Sequence, residues 1–178
     1  GHAYCGSCLA ELRSKGVGQA CPQCRAELPP SVEGLHELAW RIYKRIEGMV
    51  RRGEASWASL GAAEREEMEQ VVAMLTEAAA QGHAGAQYLL GMVYHQGQGV
   101  TRDVDCAFEW YTQAVQQGFT AAHNNLGNLL LNERKDVDGA EKAYRAVIEA
   151  DPGDAKAHCN LGFLLLNERK DVDGAEQA

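Results

Sequence analysis

Four cysteines and one histidine near the start of the sequence have the spacing of zinc ligands. Cys5 and Cys8 form one Cys-x-x-Cys pair, Cys21 and Cys24 form a second, and His2 precedes them. A pair at this spacing lets two thiolates converge on one tetrahedral ion, and a bound metal keeps thiolates deprotonated near pH 7. The pattern predicts zinc ligation and not a disulfide framework. It therefore favours a reducing compartment, the cytoplasm or the nucleus.

The residues around these ligands resemble the second half of a RING-type zinc finger, from Gly1 to Leu9 and from Cys21 to Arg25. In that family eight ligands bind two zinc ions in an interleaved order. The resemblance therefore implies Zn²⁺ as the cofactor, with two ions in the full-length finger. By the family order one ion would be bound by Cys5 and Cys8, and the other by His2, Cys21 and Cys24. Three cysteines of the family pattern are missing, so we expect residues 1–30 to be a partial, truncated finger with incomplete sites.

The RING resemblance also implies a role in ubiquitin transfer. A RING finger docks a ubiquitin-conjugating enzyme and holds its thioester in a reactive pose, which is catalysis by positioning without catalytic residues of its own. Arg25 matches the position of a basic residue that hydrogen-bonds both proteins, and a guanidinium suits that role. Leu9 and Pro22 match the apolar docking patch. The alternatives are a solvated side chain for Arg25 and packing around the zinc sites for Leu9.

A simpler zinc module is the alternative to the RING finger. Cys5, Cys8, Cys21 and Cys24 could together bind a single ion as a zinc knuckle. The position of His2 and the context of Pro22 and Arg25 fit only the RING pattern.

Residues 31–82 carry two helical patterns after the consecutive prolines Pro29 and Pro30, which predict a boundary. The first pattern lies in residues 31–61, which we interpret as a linker helix and loop. Apolar residues recur there at helical spacing and predict one buried stripe: Leu35, Leu38, Ile42, Ile46 and Met49. The second, residues 62–82, is a candidate half repeat ending at Gly82, which can adopt a left-handed cap conformation.

The rest of the chain repeats with a period of about 35 residues. The Ala-x-x-x-Leu-Gly segments end at Gly91, Gly127 and Gly162, and the stretch 129–141 recurs without change at 164–176. The pattern within each repeat predicts two helices. The glycine in the first helix implies that another helix packs closely against it, and an aspartate is placed to cap the second helix. We assign repeats to 83–118 and 119–153 and a truncated third repeat to 154–178. One hairpin cannot bury its apolar side alone, whereas stacked hairpins bury a continuous core.

These repeats resemble two related families. The segments Leu90 to Tyr94 and Ala107 to Tyr111 match the tetratricopeptide (TPR) skeleton. The loop from Gly97 to Val100, followed by Asp103, resembles the Sel-one-like branch of that superfamily, whereas the later repeats lack the loop and resemble ordinary tetratricopeptide repeats. The fold class expected is therefore all-α: a right-handed helical-hairpin solenoid preceded by a small, truncated zinc-binding module.

Two asparagines at equivalent positions of successive repeats, Asn125 and Asn160, are candidate peptide-binding residues. In related repeats an asparagine on the first helix often faces the concave groove and binds a peptide backbone. A merely exposed polar face is the alternative. The sequence has no Walker-type phosphate loop and no Gly-x-Ser-x-Gly or His-Glu-x-x-His motif.

Charge distinguishes the two parts of the chain. The net charge is −8, with +3 in residues 1–53 and −11 in the remainder. Acidic repeats argue against nucleic acid as a partner, and the lack of a long apolar run argues against a membrane span. We therefore weigh two functions. One is a RING-type ubiquitin ligase or ligase subunit whose partners are a ubiquitin-conjugating enzyme and a protein substrate recruited by the repeats. The other is a non-enzymatic scaffold with a structural zinc module.

Overall fold

The computed structural model describes residues 30–169, which form seven α-helices joined by turns. The helices are α1 (Val32–Arg51), α2 (Ala62–Ala80), α3 (Ala84–Gln96), α4 (Val104–Gln116), α5 (Ala121–Leu129), α6 (Val137–Ala150) and α7 (Ala155–Leu164). Two of them, α5 and α7, continue into π-helical turns at Leu130–Arg134 and Leu165–Arg169.

Each helix packs against the next one in the sequence, so that the chain forms successive helical hairpins. In addition α3 contacts α5, and α5 contacts α7, which places the first helices of successive repeats side by side. One buried cluster joins α1, α2 and α3, and a second joins α4 to α7. The predicted all-helical repeat solenoid is confirmed. The predicted zinc module and the last helix of the third repeat lie outside the described residues.

Aspartate side chains fix the start of three helices. Asp103, Asp136 and Asp154 each accept a hydrogen bond from the backbone N–H three residues later, at 2.9, 2.9 and 2.8 Å. Such a cap is worth about 1 kcal/mol of stability. The predicted capping role of the repeated aspartates is therefore confirmed at α4 and α6.

The repeated glycines lie against tyrosine rings of the following helix. A Cβ atom added to Gly91 would lie 2.5 Å from Tyr111, and one added to Gly127 would lie 2.5 Å from Tyr144. Both tyrosines are fully buried. The glycines therefore let the two helices of each hairpin approach closely, as their spacing predicted.

The predicted apolar stripe of α1 is wrong in part. Leu35 and Ile46 are buried as expected, but Leu38 is 39% exposed, and Ala39 and Tyr43 occupy the buried face instead. The reason is Tyr43, whose hydroxyl donates to Gln98 at 3.0 Å and so turns this face inward. Because α1 packs along α2 in a shared core, the segment predicted as a linker helix forms a hairpin with α2. The assigned repeat boundaries remain predictions.

One further contact joins α1 to α3. The rings of His36 and His83 lie 4.3 Å apart between centroids. His83 Nδ1 accepts the Ala86 N–H at 3.1 Å and so caps α3. Burial, followed by the neighbouring His83, lowers the pKa of His36 below its ordinary value, while Glu37 opposes the shift. Within residues 30–169, no helix is long and apolar enough to span a bilayer.

We expect Gly127→Ala to destabilise the fold by about 1 kcal/mol. The overpacking cost against the Tyr144 ring, roughly 1–3 kcal/mol, outweighs the gain of about 1 kcal/mol in helix propensity. Gly48→Ala in α1 is the matched control, because its Cβ would meet only the end of the flexible Arg52 side chain at 3.3 Å. It should stabilise the protein. Urea unfolding measures both, and stabilisation by Gly127→Ala would contradict the Gly–Tyr contact.

We expect stability to fall as the pH decreases from about 7.5 to 5.5. Because His36 has a lowered pKa in the fold, the folded state binds fewer protons than the unfolded chain, whose histidine titrates near pH 6.5, at about its ordinary value. The contribution of His36 to the free energy of unfolding is therefore present above the pKa of the unfolded histidine and is lost as the pH falls below it. Urea midpoints measured across this range should fall less for His36→Gln than for the wild type. If the urea midpoints of the two proteins depended equally on pH, His36 would not contribute to this loss of stability.

Candidate functional site

The predicted groove residue Asn125 lies where α3, α4 and α5 meet. Its Nδ2 donates to the hydroxyls of Tyr88 and Tyr111, at 3.3 and 3.5 Å. Bonds of this length are weak. The side chain is half-buried, and its carbonyl oxygen accepts no hydrogen bond within residues 30–169. The amide is thus positioned by two tyrosines but keeps capacity for a further partner.

The two tyrosines are held in place by aromatic packing. Tyr88 lies 5.1 Å from Phe119 and 6.2 Å from Tyr111, between ring centroids. Burial, together with the proximity of Tyr88, raises the pKa of Tyr111 well above its ordinary value. Its hydroxyl therefore stays neutral at physiological pH and acts as a hydrogen-bonding group, not as an acid or base.

Two more asparagines extend this polar set along α5. Asn124 is only 4% exposed. Its Nδ2 donates to Asp154 at 3.5 Å, while its Oδ1 is buried without a hydrogen-bond partner among the described residues. Asn128 accepts a hydrogen bond from the Tyr144 hydroxyl at 2.7 Å. Neither residue was a candidate from the sequence, although their spacing of four residues, which places two side chains on one helix face, was a usable signal.

The second predicted groove residue, Asn160, occupies the equivalent position on α7. It is half-buried, and its Nδ2 is buried without a hydrogen-bond partner among the described residues. No hydrogen bond joins it to Asn125. We call Asn124, Asn125, Asn128 and Asn160 the amide row. Within it, one acceptor, Asn124 Oδ1, and one donor, Asn160 Nδ2, are buried without hydrogen-bond partners among the described residues.

One histidine of the repeats, His158, makes a structural contact. His158 Nε2 lies 3.0 Å from the carbonyl oxygen of Pro152. At the equivalent position of α3, Gln87 Nε2 donates to the carbonyl oxygen of Ala79 at 3.1 Å. Gln87 thus reaches back to the end of the preceding helix and His158 to the turn that follows it, which favours repeat packing over catalysis. Within residues 30–169, no three His, Cys, Asp or Glu side chains are grouped to hold a metal ion.

The predicted zinc and docking residues lie outside the described residues. They are the zinc ligands His2, Cys5, Cys8, Cys21 and Cys24 and the ubiquitin-transfer residues Leu9, Pro22 and Arg25. Their roles remain predictions. The other two cysteines, Cys106 and Cys159, are free thiols on α4 and α7.

Several known proteins are similar to this chain. It is 35% identical over 74 residues to chitin synthase regulatory factor 3 of Schizosaccharomyces pombe, a match covering 42% of this chain and 8% of that protein. It superposes on c5321, a protective antigen of uropathogenic Escherichia coli with an SLR fold, with a TM-score of 0.57 and 27% identity, covering 80% of this chain and 27% of the antigen.

A Sel1 repeat protein from Oxalobacter formigenes superposes with a TM-score of 0.58 and 19% identity, covering 91% of this chain and 56% of that one. At that identity the likeness shows the fold alone. The chain thus spans less than two thirds of each of these relatives.

Two family models match parts of the chain. Residues 84–119 match the Sel1 repeat, and residues 143–177 match the tetratricopeptide repeat. The first match contains α3 and α4, with the loop that resembled the Sel-one-like type, and the second begins within α6. The chain is therefore an all-helical solenoid that carries a Sel1 repeat followed by a tetratricopeptide repeat.

Proposed function

We propose that this chain is a protein–protein interaction scaffold whose amide row binds an extended segment of a protein partner. One observation carries the proposal. Asn125 is half-buried where α3, α4 and α5 meet, and its Nδ2 makes only long contacts, of 3.3 and 3.5 Å, to the hydroxyls of Tyr88 and Tyr111. A peptide backbone carries both donors and acceptors, and an asparagine amide can pair with both.

The surroundings of the amide row support a peptide as the ligand. Tyr88 and Tyr111 supply neutral aromatic surface beside Asn125, and Asp154 adds a carboxylate next to Asn124. The chain as a whole is acidic, with a net charge of −8. We therefore expect the bound segment to carry apolar and basic side chains.

We expect Asn160→Ala to weaken peptide binding about tenfold without loss of stability. Truncating Asn160 costs the free protein little, because its Nδ2 has no hydrogen-bond partner among the described residues, whereas it removes a half-buried amide side chain from the peptide-binding surface. Peptides would be selected against the wild-type chain from a random display library, and their affinities measured by fluorescence anisotropy. Urea unfolding would report stability in parallel.

The exposed Asn132, in the π-helical turn that continues α5, provides the control. Asn132→Ala should change neither affinity nor stability, while Asn125→Ala should weaken binding as Asn160→Ala does. Selected peptides that bind Asn125→Ala and Asn160→Ala with unchanged affinity would exclude the amide row as the binding site.

A second proposal concerns residues 1–30. The spacing of His2, the two Cys-x-x-Cys pairs and Arg25 supports a RING-type zinc finger. In that case the protein would act as a ubiquitin ligase or ligase subunit, with a ubiquitin-conjugating enzyme as a further partner and the repeats recruiting the substrate. The alternative remains a scaffold with a structural zinc module, in which a single knuckle binds one ion.

Two measurements test the RING proposal in order. Reading the transcript upstream of Gly1 should reveal a cysteine directly before it and another Cys-x-x-Cys pair. Zinc analysis of the full-length protein should then give two ions, and Arg25→Ala should slow discharge of ubiquitin from the conjugating enzyme about tenfold or more, with its zinc content unchanged. Arg13→Ala is the matched control and should not alter discharge. One zinc ion and no discharge would instead support the structural knuckle.

A further inference from the structure

A surface cavity of about 510 Å³ lies between two turns at one end of the first two hairpins. One turn joins α1 to α2, and the other joins α3 to α4. Its volume falls within the range of roughly 300–1,000 Å³ that is common for ligand pockets. The residues that define its chemistry are Trp57, Leu60, Arg65, Gly99, Val100 and Arg102.

The turn between α3 and α4 is held rigidly against the first hairpin. Gly97 and Gly99 adopt positive φ angles of 66° and 72°, and a Cβ at Gly99 would lie 2.9 Å from Met68 Cγ in α2. Between them Gln98 is 5% exposed and accepts the hydrogen bond from Tyr43. The cavity is therefore preformed, because both its shape and its backbone depend on buried contacts.

The other wall of the cavity is equally fixed. The Trp57 ring stacks on Tyr43, with centroids 5.9 Å apart and planes at 12°. Leu60 is 7% exposed and belongs to the first core cluster. The wall thus presents an aromatic ring and aliphatic groups in set positions beside the polar groups.

The polar groups of the lining are mainly donors. Arg65 is exposed and forms no ion pair within residues 30–169. Arg102 donates through Nε to the carbonyl oxygen of His95 at 3.0 Å and through Nη2 to Glu133 at 2.5 Å, which leaves Nη1 available. The backbone N–H groups of Gly99, Val100 and Thr101 donate no hydrogen bond within the described residues.

The charge of the lining is opposite to that of the chain. Two arginines and no aspartate or glutamate line the cavity, whereas the net charge of the protein is −8. Glu133 neutralises part of the charge of Arg102 from outside the lining, whereas Arg65 has no ion-pair partner among the described residues. A ligand that fits must supply acceptors and negative charge.

We propose that this cavity binds an acidic segment of a protein partner, with a carboxylate on Arg65 and Arg102 and an adjacent apolar side chain on Trp57 and Leu60. A guanidinium recognises a carboxylate through paired hydrogen bonds. The apolar wall favours a peptide over inorganic phosphate, which would gain nothing from Trp57. This site is separate from the amide row and does not depend on it.

The test uses a fluorescently labelled, capped peptide of alternating glutamate and leucine, with anisotropy as the readout. Binding should be saturable and should weaken as salt is added, because the charged contacts are partly exposed. The corresponding peptide of alternating glutamine and leucine should bind at least about tenfold more weakly. Equal affinity for the two peptides, or no saturable binding of the acidic one, would overturn the proposal.

Variants then locate the site. Arg65→Glu should weaken binding about tenfold or more, and Arg65→Gln somewhat less, with circular dichroism unchanged because Arg65 makes no ion pair in the described chain. Arg145→Glu, an exposed arginine on α6, makes the same charge change elsewhere and should have no effect. An equal loss in Arg145→Glu would show nonspecific attraction and refute the site.

Two further outcomes separate this cavity from other possibilities. Asn160→Ala should bind the acidic peptide with wild-type affinity, so that failure of the amide row and failure of this cavity are distinguishable. Inorganic phosphate should displace the peptide only weakly. Displacement by phosphate at concentrations comparable to the peptide, with the same dependence on Arg65, would show that the site recognises phosphate and would overturn the peptide assignment.

Discussion

The contact between a helical glycine and a buried tyrosine ring is the constraint on which each repeat depends. Gly91 faces Tyr111, and Gly127 faces Tyr144, in both cases with no room for a Cβ atom. A glycine inside a helix lowers its intrinsic stability by about 1 kcal/mol. The cost is offset because two helices approach closely and bury a whole aromatic side chain. The spacing of the hairpin, and hence the register of the next one, follows from this contact.

The same tyrosines connect the core to the candidate binding surface. The ring of Tyr111 packs on Gly91, while its hydroxyl lies 3.5 Å from the Asn125 amide of the next repeat. The ring of Tyr144 packs on Gly127, and its hydroxyl bonds Asn128. Burial raises the pKa of Tyr144 to about 12, so this hydroxyl remains a neutral donor. Core packing and the orientation of the amide row are thus set by the same side chains.

The two repeat types differ mainly in how their helices are joined. In the Sel1 repeat, residues 97–103 form a loop that reaches back to α1 and α2. In the following repeat, α5 ends in a π-helical turn, and Lys135, with a φ of 57°, leads directly into α6. The longer loop therefore creates the cavity beside Trp57, and the shorter connection leaves no comparable loop. Variation in one turn gives neighbouring repeats different surfaces on the same helical frame.

The sequence by itself determined the helical repeats, their capping aspartates and the glycines at close helix contacts, because periodicity, caps and duplication are local properties of the chain. It did not determine which face of α1 is buried: Leu38 is exposed and Tyr43 is not, since Trp57 and Gln98 come from distant turns. The partners of Asn125 and the cavity at Arg65 likewise combine residues far apart in sequence. Only the tertiary structure decided these features, because they depend on how separate helices meet.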